Sequence, residues 1–332
     1  MIITRTPFRI SFAGGGSDIQ SYYEKYNGAV LSVTIDKYMH LAMHPLFQEN
    51  EYLLKYSKIE SIANIEDIKH PIIKNVFKRY GIKGVDFNAS ADIPSGTGLA
   101  SSSAFTVGLI NLCNAYTDKY IDKKNIAELA CEIEINDLKA PIGKQDQYAC
   151  AFGGFNYIEF NTNGTVDVEK IYLKEHTYNK LNQNLLLFFT GQTRDSYSIL
   201  SEQNANIKND NKKIENMHKM VELAKILKKE MQEGHPDAMG EILHQSWLYK
   251  RELATGISNN NINDAYETAI KAGASGGKLL GAGGGGFLLF YVKEENQNNV
   301  RNALSSLKEI DFKFDNQGTN IIYYNKAGLY RK

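Results

Sequence analysis

Three glycine-rich loops, each beside a predicted strand, most constrain the fold that this chain can adopt. They are Gly14 to Asp18, Pro94 to Gly98 and Gly281 to Gly286. Glycine weakens the interior of a helix or strand, so such runs indicate tight turns or close approaches of two backbones. Around the loops, strand and helix patterns mix without the strict alternation of a doubly wound parallel sheet. The sequence therefore predicts an α+β fold.

The hydrophobic patterns place regular elements beside these loops. Ile2 to Phe12 reads as a strand, and Ala29 to Ile35 and Tyr38 to Met43 read as two further strands, joined around Asp36 and Lys37. A helix is predicted from Ser101 to about Tyr116. The stretch from Gln203 to Lys213 is rich in Asn and Lys, so it is interpreted as exposed or as the polar start of the following helix.

Composition excludes several classes of function. Lys and Arg total 38, as do Asp and Glu, and this zero net charge argues against a nucleic-acid or anionic-membrane partner. No apolar run approaches the ~18–20 residues that span a bilayer. Charged residues and proline interrupt the N-terminus where an export signal needs apolar residues. The three isolated cysteines show neither disulfide nor zinc spacing, which indicates a reduced, cytoplasmic setting.

The segment from Pro94 to Ala104 carries the strongest chemical signal. It places glycines and small hydroxyl residues between a strand and the start of a helix. The first ~four N–H groups of a helix lack an internal partner, and glycines let a phosphate approach them closely. The hydroxyls of Ser101 to Ser103 add ligands for phosphate or Mg²⁺. The alternative is an ordinary helix cap with turn glycines.

Two better-known nucleotide motifs do not account for these loops. The chain contains no GxxxxGK[ST] segment, so the loop at Pro94 is not a Walker P-loop. Gly281 to Gly286 matches GxGxxG formally, but a predicted strand follows the glycines where the dinucleotide motif requires a helix. We interpret this third loop as a crossing where two backbones nearly touch.

Two carboxylates stand next to glycines in positions that suit hydroxyl groups. Asp18 ends the first loop, just after Arg9, and is a candidate for binding hydroxyls. Asp146 lies between Gly143 and Gly153 and is a candidate acceptor of a hydroxyl proton. For each residue the alternative is a helix cap, which the sequence leaves open.

Taken together, these segments resemble the superfamily of galactokinase, homoserine kinase, mevalonate kinase and phosphomevalonate kinase, the GHMP kinases. The matching segments are Pro7 to Asp18, Pro94 to Ala104, Gly143 to Tyr148 and Lys278 to Phe287. Many members have Gly where this chain has Ala100, a small change. The resemblance implies an N-terminal domain like ribosomal protein S5 domain 2 over residues 1–180 and a ferredoxin-like domain over residues 181–332, with the ligands in the cleft between them.

Within the superfamily, the first motif and the segment Gly143 to Tyr148 resemble the heptose 7-phosphate kinases. This resemblance implies ATP-dependent phosphorylation of the anomeric hydroxyl of D-glycero-D-manno-heptose 7-phosphate, which feeds GDP-heptose synthesis for bacterial surface polysaccharides. The alternatives are another anomeric kinase, such as L-fucokinase, or a catalytically silent sensor of ATP and sugar. The retained set of Arg9, Glu134 and Asp146 favours catalysis over sensing.

The resemblance also implies roles for individual residues. Asp146 and Arg9 are the expected catalytic pair, with Asp146 accepting or orienting the hydroxyl proton and Arg9 contacting the transferring phosphoryl group. Ser102 and Glu134 are the expected ligands of Mg²⁺, with Glu132 as the alternative carboxylate. The residues expected to bind ATP are Pro94, Gly96, Thr97, Gly98, Leu99, Ala100, Ser101, Ser102 and Ser103.

A sugar phosphate is the expected partner, and it needs groups for its hydroxyls and for its phosphate. Gly15, Gly16, Ser17 and Asp18 are assigned to the sugar. The cationic candidates for the phosphate are Arg194, Lys250 and Arg251, although a solvated helix face also explains the last two. The sequence leaves the oligomeric state open, with a homodimer as one alternative.

Overall fold

The fold is built around two antiparallel-rich sheets with helices packed against them. The computed structural model describes residues 1–48, 50–192 and 196–325. Within them the strands are β1 (Ile2–Ala13), β2 (Gly28–Pro45), β3 (Tyr52–Lys55), β4 (Ile59–Ile62), β5 (Val85–Ala91), β6 (Phe155–Phe160), β7 (Val166–Lys170), β8 (Leu185–Phe189), β9 (Gly276–Leu279), β10 (Phe287–Tyr291), β11 (Lys308–Glu309), β12 (Phe314–Asp315) and β13 (Asn320–Tyr324).

The helices lie mainly between and after these strands. They are α1 (Gln20–Tyr26), α2 (Pro71–Tyr80), α3 (Ser101–Tyr116), α4 (Lys123–Cys131), α5 (Gln145–Phe152), α6 (Glu175–Asn184), α7 (Ser196–Asn209), α8 (Asn211–Glu233), α9 (Ala238–Lys250), α10 (Asn260–Lys271) and α11 (Glu294–Ala303). A π-helical turn, Glu132–Asp137, continues α4. Among the described residues, no helix is both long and apolar enough to cross a membrane.

The larger sheet is organised by its longest strand, β2. Among the described residues this sheet has nine strands, with the main order β13-β1-β2-β5-β3-β4. The strand β2 pairs with β1, while residues 28–33 also pair with β6 and residues 39–45 with β5. The helix α3 packs on β1 and β2, and the loop that precedes α3 is bonded to β1, where the backbone N–H of Arg9 donates to the carbonyl of Leu99.

The two strands expected between Ala29 and Met43 form one continuous strand, so their separation in the prediction is wrong. At the expected break, the backbone N–H of Asp36 donates to the carbonyl of Lys313, at 2.9 Å. The carboxylate of Asp36 accepts the N–H of Lys313, at 2.8 Å. The register against β1 shifts between Pro7 and Phe8, so this segment is a bulge within β2.

The smaller sheet has four strands among the described residues, in the order β11-β8-β10-β9. It packs against α9, and the fully buried Trp247 of that helix lies in its apolar cluster. The expected domain boundary after residue 180 falls within α6, and β12 and β13 pair with the larger sheet. The two sheets are therefore not contributed by two continuous parts of the chain. The mixture of helices and sheets is that of the predicted α+β class.

The second and third glycine-rich loops cross at van der Waals distance. A Cβ atom on Gly281 would lie 2.3 Å from the Cα of Gly98, and one on Gly286 would lie 2.3 Å from the carbonyl oxygen of Thr97. Both glycines have positive φ, at +73° and +102°, which other residues adopt at a cost. The predicted close crossing of two backbones is therefore present, and its partner is the loop before α3.

We expect Gly281→Ala to separate the two loops. The added methyl group meets backbone rather than a flexible side chain, so the predicted loss in the free energy of unfolding is roughly 2–4 kcal/mol. Gly81→Ala is the matched control, because Gly81 has φ of +63° but no atom within 4 Å of the added Cβ. The control should lose only about 1 kcal/mol. Equal losses in urea denaturation of the two variants would contradict the crossing.

Candidate active site

A cleft of about 330 Å³ brings all three glycine-rich loops to one place. Gly15 and Gly16 line it from the first loop, Gly96 and Gly98 from the second, and Gly281, Gly283 and Gly285 from the third. Most of the predicted site residues lie along its walls. The cleft is also lined by side chains that lie far apart in the sequence, including Arg9 of β1 and Lys250 of α9.

The start of α3 opens into this cleft. Ala100 precedes the helix with φ of 67° and supplies no side-chain cap, so it does not occupy the amides of the first turn. The predicted phosphate-binding residues that line the cleft are Gly96, Gly98, Ala100, Ser101, Ser102 and Ser103. Alanine adopts here the left-handed conformation that glycine favours, which explains how the substitution leaves the loop intact.

Three residues of the predicted phosphate loop shape it without lining the cleft. The hydroxyl of Thr97 donates to the carbonyl of Pro94, at 3.0 Å. The side chain of Leu99 is fully buried, and its carbonyl accepts the backbone N–H of Arg9, at 3.2 Å. These contacts fix the backbone of the loop and connect it to β1.

Arg9 and Asp146 form an ion pair beside this loop. The Arg9 Nε and Nη2 atoms lie 2.8 and 2.7 Å from Asp146 Oδ1, and Nη1 donates to the carbonyl of Gly98, at 2.7 Å. Arg9 is buried, whereas Asp146 is partly exposed to the cleft in the first turn of α5. One guanidinium group therefore holds the carboxylate and the phosphate loop in fixed relation.

Glu134 is a buried carboxylate surrounded by neutral donors. Its oxygens accept the hydroxyls of Ser102, Ser103 and Thr106, at 3.1, 2.9 and 3.0 Å, and the amide of Gln147, at 2.7 Å. Burial raises its pKa, and the four hydrogen bonds oppose that rise only in part. No side-chain cation of the described residues contacts it.

The alternative carboxylate, Glu132, lies on the other side of the same π-helical turn. It is exposed and forms an ion pair with Arg79, at 2.8 Å. Glu134 instead points to the start of α3 and lines the cleft. The π-helical turn, a feature often found at functional sites, thus separates the two acidic residues that the sequence could not rank.

Asp18 is the third carboxylate of the cleft. Its oxygens accept the backbone N–H groups of Gly16 and Gln145, at 2.9 and 3.1 Å, and the side-chain amide of Gln145, at 3.0 Å. Burial raises its pKa. It does not cap α1, for which Ile19 is the preceding residue, but binds the first amide of α5. Ser17 is not in the lining, since its hydroxyl bonds to the backbone of Ala29.

The cationic residues proposed for a substrate phosphate have different positions. Lys250 is buried at the end of α9, lines the cleft and donates to the carbonyl of Gly281. Burial lowers its pKa to about 8. Arg251 is exposed and does not line the cleft, and Arg194 lies outside the described residues.

Two residues of the lining were missed by the sequence reasoning. Lys278 is fully buried on β9, and its Nζ donates to the carbonyls of Ser11 and Phe12, both at 2.9 Å. The signal available was a lysine inside an otherwise apolar segment next to the third loop. Gln203, interpreted as exposed, is buried on α7 and lines the cleft.

The fold and the cleft, with a glycine-rich loop at the start of a helix and no Walker motif, define a kinase-type protein. The comparisons agree, since the model for the N-terminal domain of GHMP kinases matches residues 67–154 and the model for their C-terminal domain matches residues 227–309. The D-glycero-alpha-D-manno-heptose 7-phosphate kinase of Campylobacter jejuni is 34% identical, with 96% of this chain and 97% of that protein covered. The chain belongs to the GHMP kinase family.

Solved structures give the same result. A D-glycero-D-manno-heptose 1-phosphate kinase from Bacteroides thetaiotaomicron superposes with a TM-score of 0.81 at 27% identity, covering 98% of this chain and all of that one. A putative sugar kinase from Campylobacter jejuni superposes with a TM-score of 0.78 at 31% identity, covering 96% and 97%. These matches confirm the predicted GHMP kinase fold over nearly the whole chain.

We expect Glu134→Gln to change how stability depends on pH. Because burial raises the pKa of Glu134 above 4.5, the folded state keeps its proton to higher pH than the unfolded state. The wild type should therefore lose stability relative to the variant as pH rises from about 4.5 through the folded-state pKa. Urea unfolding in EDTA measures this, with exposed Glu132→Gln as the control. If the free energy of unfolding depended on pH in the same way for the wild type and Glu134→Gln, the raised pKa of Glu134 would be refuted.

Proposed function

We propose that the protein is an ATP-dependent sugar kinase that phosphorylates the anomeric hydroxyl of D-glycero-D-manno-heptose 7-phosphate, giving the 1,7-bisphosphate. The observation that carries the proposal is the Arg9–Asp146 ion pair, held beside Gly98 at the start of α3. The names of the relatives above support the sugar, since two of them are heptose kinases. The product would enter GDP-heptose synthesis for surface polysaccharides in the cytoplasm.

In this proposal the residues align and neutralise charge rather than form a covalent intermediate. The ATP phosphates lie on the amides and hydroxyls from Gly96 to Ser103, at the positive end of α3. The anomeric oxygen attacks the γ-phosphorus, the bond from that phosphorus to the β,γ-bridging oxygen breaks, and ADP leaves. Asp146 orients the hydroxyl and accepts its proton, while Arg9 contacts the phosphoryl oxygens.

The surroundings of Glu134 fit a magnesium ion. Ser102 Oγ lies 3.1 Å from Glu134 Oε1, and both residues line the cleft. Both are the hard oxygen ligands that Mg²⁺ prefers, and the buried carboxylate has only neutral partners. Bound there with the nucleotide, Mg²⁺ would neutralise charge on the phosphates. Glu134 and Ser102 are thus the residues proposed to hold it.

The sugar is proposed to lie against the first loop. Gly15 and Gly16 give it access to the backbone, and Asp18 accepts hydrogen bonds from its hydroxyl groups. Lys250 lines the same cleft. Arg194 stays a prediction for the substrate phosphate, and a homodimer stays a prediction for the assembly.

A substrate panel tests the proposed specificity. We expect radiolabelled phosphate to pass from ATP to D-glycero-D-manno-heptose 7-phosphate with a kcat/KM at least ~10-fold above that for L-fucose, galactose or unphosphorylated heptose. Product analysis should place the label on the anomeric oxygen. Preferred labelling of L-fucose would replace the heptose with fucose, and labelling of no sugar would favour the sensor.

Asp146→Asn tests the proposed chemistry. Loss of the carboxylate should lower kcat by ~10²–10⁴, the usual contribution of a positioned acid or base. The KM for ATP should change little, because the phosphate loop remains. Asp264→Asn, an exposed position on α10, is the control. Unchanged turnover of a folded Asp146→Asn protein would remove Asp146 from the mechanism.

A further inference from the structure

Two lysines that line the cleft are buried. Lys250 is 5% exposed and Lys278 is 1% exposed. Their observed acceptors are backbone carbonyls, those of Gly281, Ser11 and Phe12. Among the described residues, no carboxylate forms an ion pair with either lysine. Burial without an ionic partner lowers the pKa of both lysines, and an anion bound beside them would favour their charged forms.

The remaining charges of the cleft do not supply that anion. Asp146 already pairs with Arg9, and Asp18 is bound by the amides of Gly16 and Gln145. Burial is the largest cause that lowers the pKa of both lysines. The charge of Arg9 lowers the pKa of Lys250 further, while Asp18 and Asp146 raise it without contacting the lysine. The pKa of Lys278 is lowered further by Lys250 and then by Arg9. Glu134 is bound to α3 and Gln147.

Two neutral side chains of the cleft also have polar atoms without a hydrogen-bond partner among the described residues. Ser11 is 5% exposed, and its hydroxyl has no partner among the described residues. Gln203 is 2% exposed, and its amide nitrogen has no partner there either. Both residues line the cleft with Lys250 and Lys278. A ligand bound in the cleft would satisfy both groups.

From this juxtaposition we infer that Lys250, Lys278, Ser11 and Gln203 form a second phosphate-binding site, distinct from the loop at the start of α3. The four residues come from α9, β9, β1 and α7, so the site is built from elements that lie far apart in the sequence. Lys250 and Ser11 contact the phosphate. Lys278 adds positive charge without contacting the phosphate, and its bonds to the carbonyls of Ser11 and Phe12 fix the end of β1. Resting on the proposed kinase function, the phosphate is either that of the acceptor sugar or the transferring γ-phosphoryl group.

Titration of inorganic phosphate, followed by ³¹P NMR, tests this site without any sugar. The enzyme is saturated with Mg²⁺ and either ADP or the imido analogue of ATP, which fills the γ-position. If the site receives the acceptor's phosphate, inorganic phosphate binds to both complexes. If it receives the γ-phosphoryl group, inorganic phosphate binds only to the ADP complex. In both cases Lys250→Met should weaken binding by at least ~10-fold, the weight of a charge-assisted hydrogen bond.

Two further variants separate binding from folding. Ser11→Ala should weaken phosphate binding by ~3–10-fold while leaving stability unchanged or higher, because it removes a hydroxyl without a partner. Lys229→Met, which changes an exposed lysine of α8, should bind phosphate as the wild type does. The inference is overturned if folded Lys250→Met and Ser11→Ala bind phosphate as tightly as wild type in the ADP complex. Because no sugar is present, a negative substrate panel would overturn the proposed function and leave this site standing.

Discussion

The crossing of the second and third glycine-rich loops is the contact on which the site depends. Its two central residues, Gly98 and Gly281, leave no room for a side chain between the backbones. The carbonyl of Gly98 then accepts from Arg9, and the carbonyl of Gly281 accepts from Lys250. One contact between two glycines therefore fixes the backbone acceptors of both cationic side chains. A side chain at either position would move a cation together with the backbone, which accounts for glycine at both.

The three carboxylates of the cleft differ in environment more than in chemistry. Asp146 is partly exposed to the cleft and is paired with Arg9. Asp18 is buried and accepts hydrogen bonds from the backbone amides of Gly16 and Gln145, which hold it against the first loop. Glu134 is buried among neutral hydroxyl and amide donors, where its charge lacks compensation. Differences of this kind can give identical functional groups separate roles, and those we propose are orientation of a hydroxyl, contact with a sugar and attraction of a cation.

The sequence could predict those features of the site that depend on residues close together in the chain, and not those that depend on residues far apart in it. The α3 helix was predicted as observed, since its loop and hydrophobic run are local features. The choice between Glu132 and Glu134 was not available, because a π-helical turn decides which one faces the cleft. Gln203 looked exposed in a polar stretch, yet α7 packs it against Gly16, far away in the chain. The return of β12 and β13 to the larger sheet is likewise set by long-range pairing.

The basic and acidic side chains of the cleft are only partly paired with one another. The basic side chains that line the cleft are Arg9, Lys250 and Lys278, and the acidic ones are Asp18, Asp146 and Glu134, yet neither lysine contacts a carboxylate of the described residues. In the proposed function, the phosphates of the ligand are partners for the lysines and a divalent cation is a partner for Glu134. Such a ligand would stabilise the folded protein by its own binding free energy.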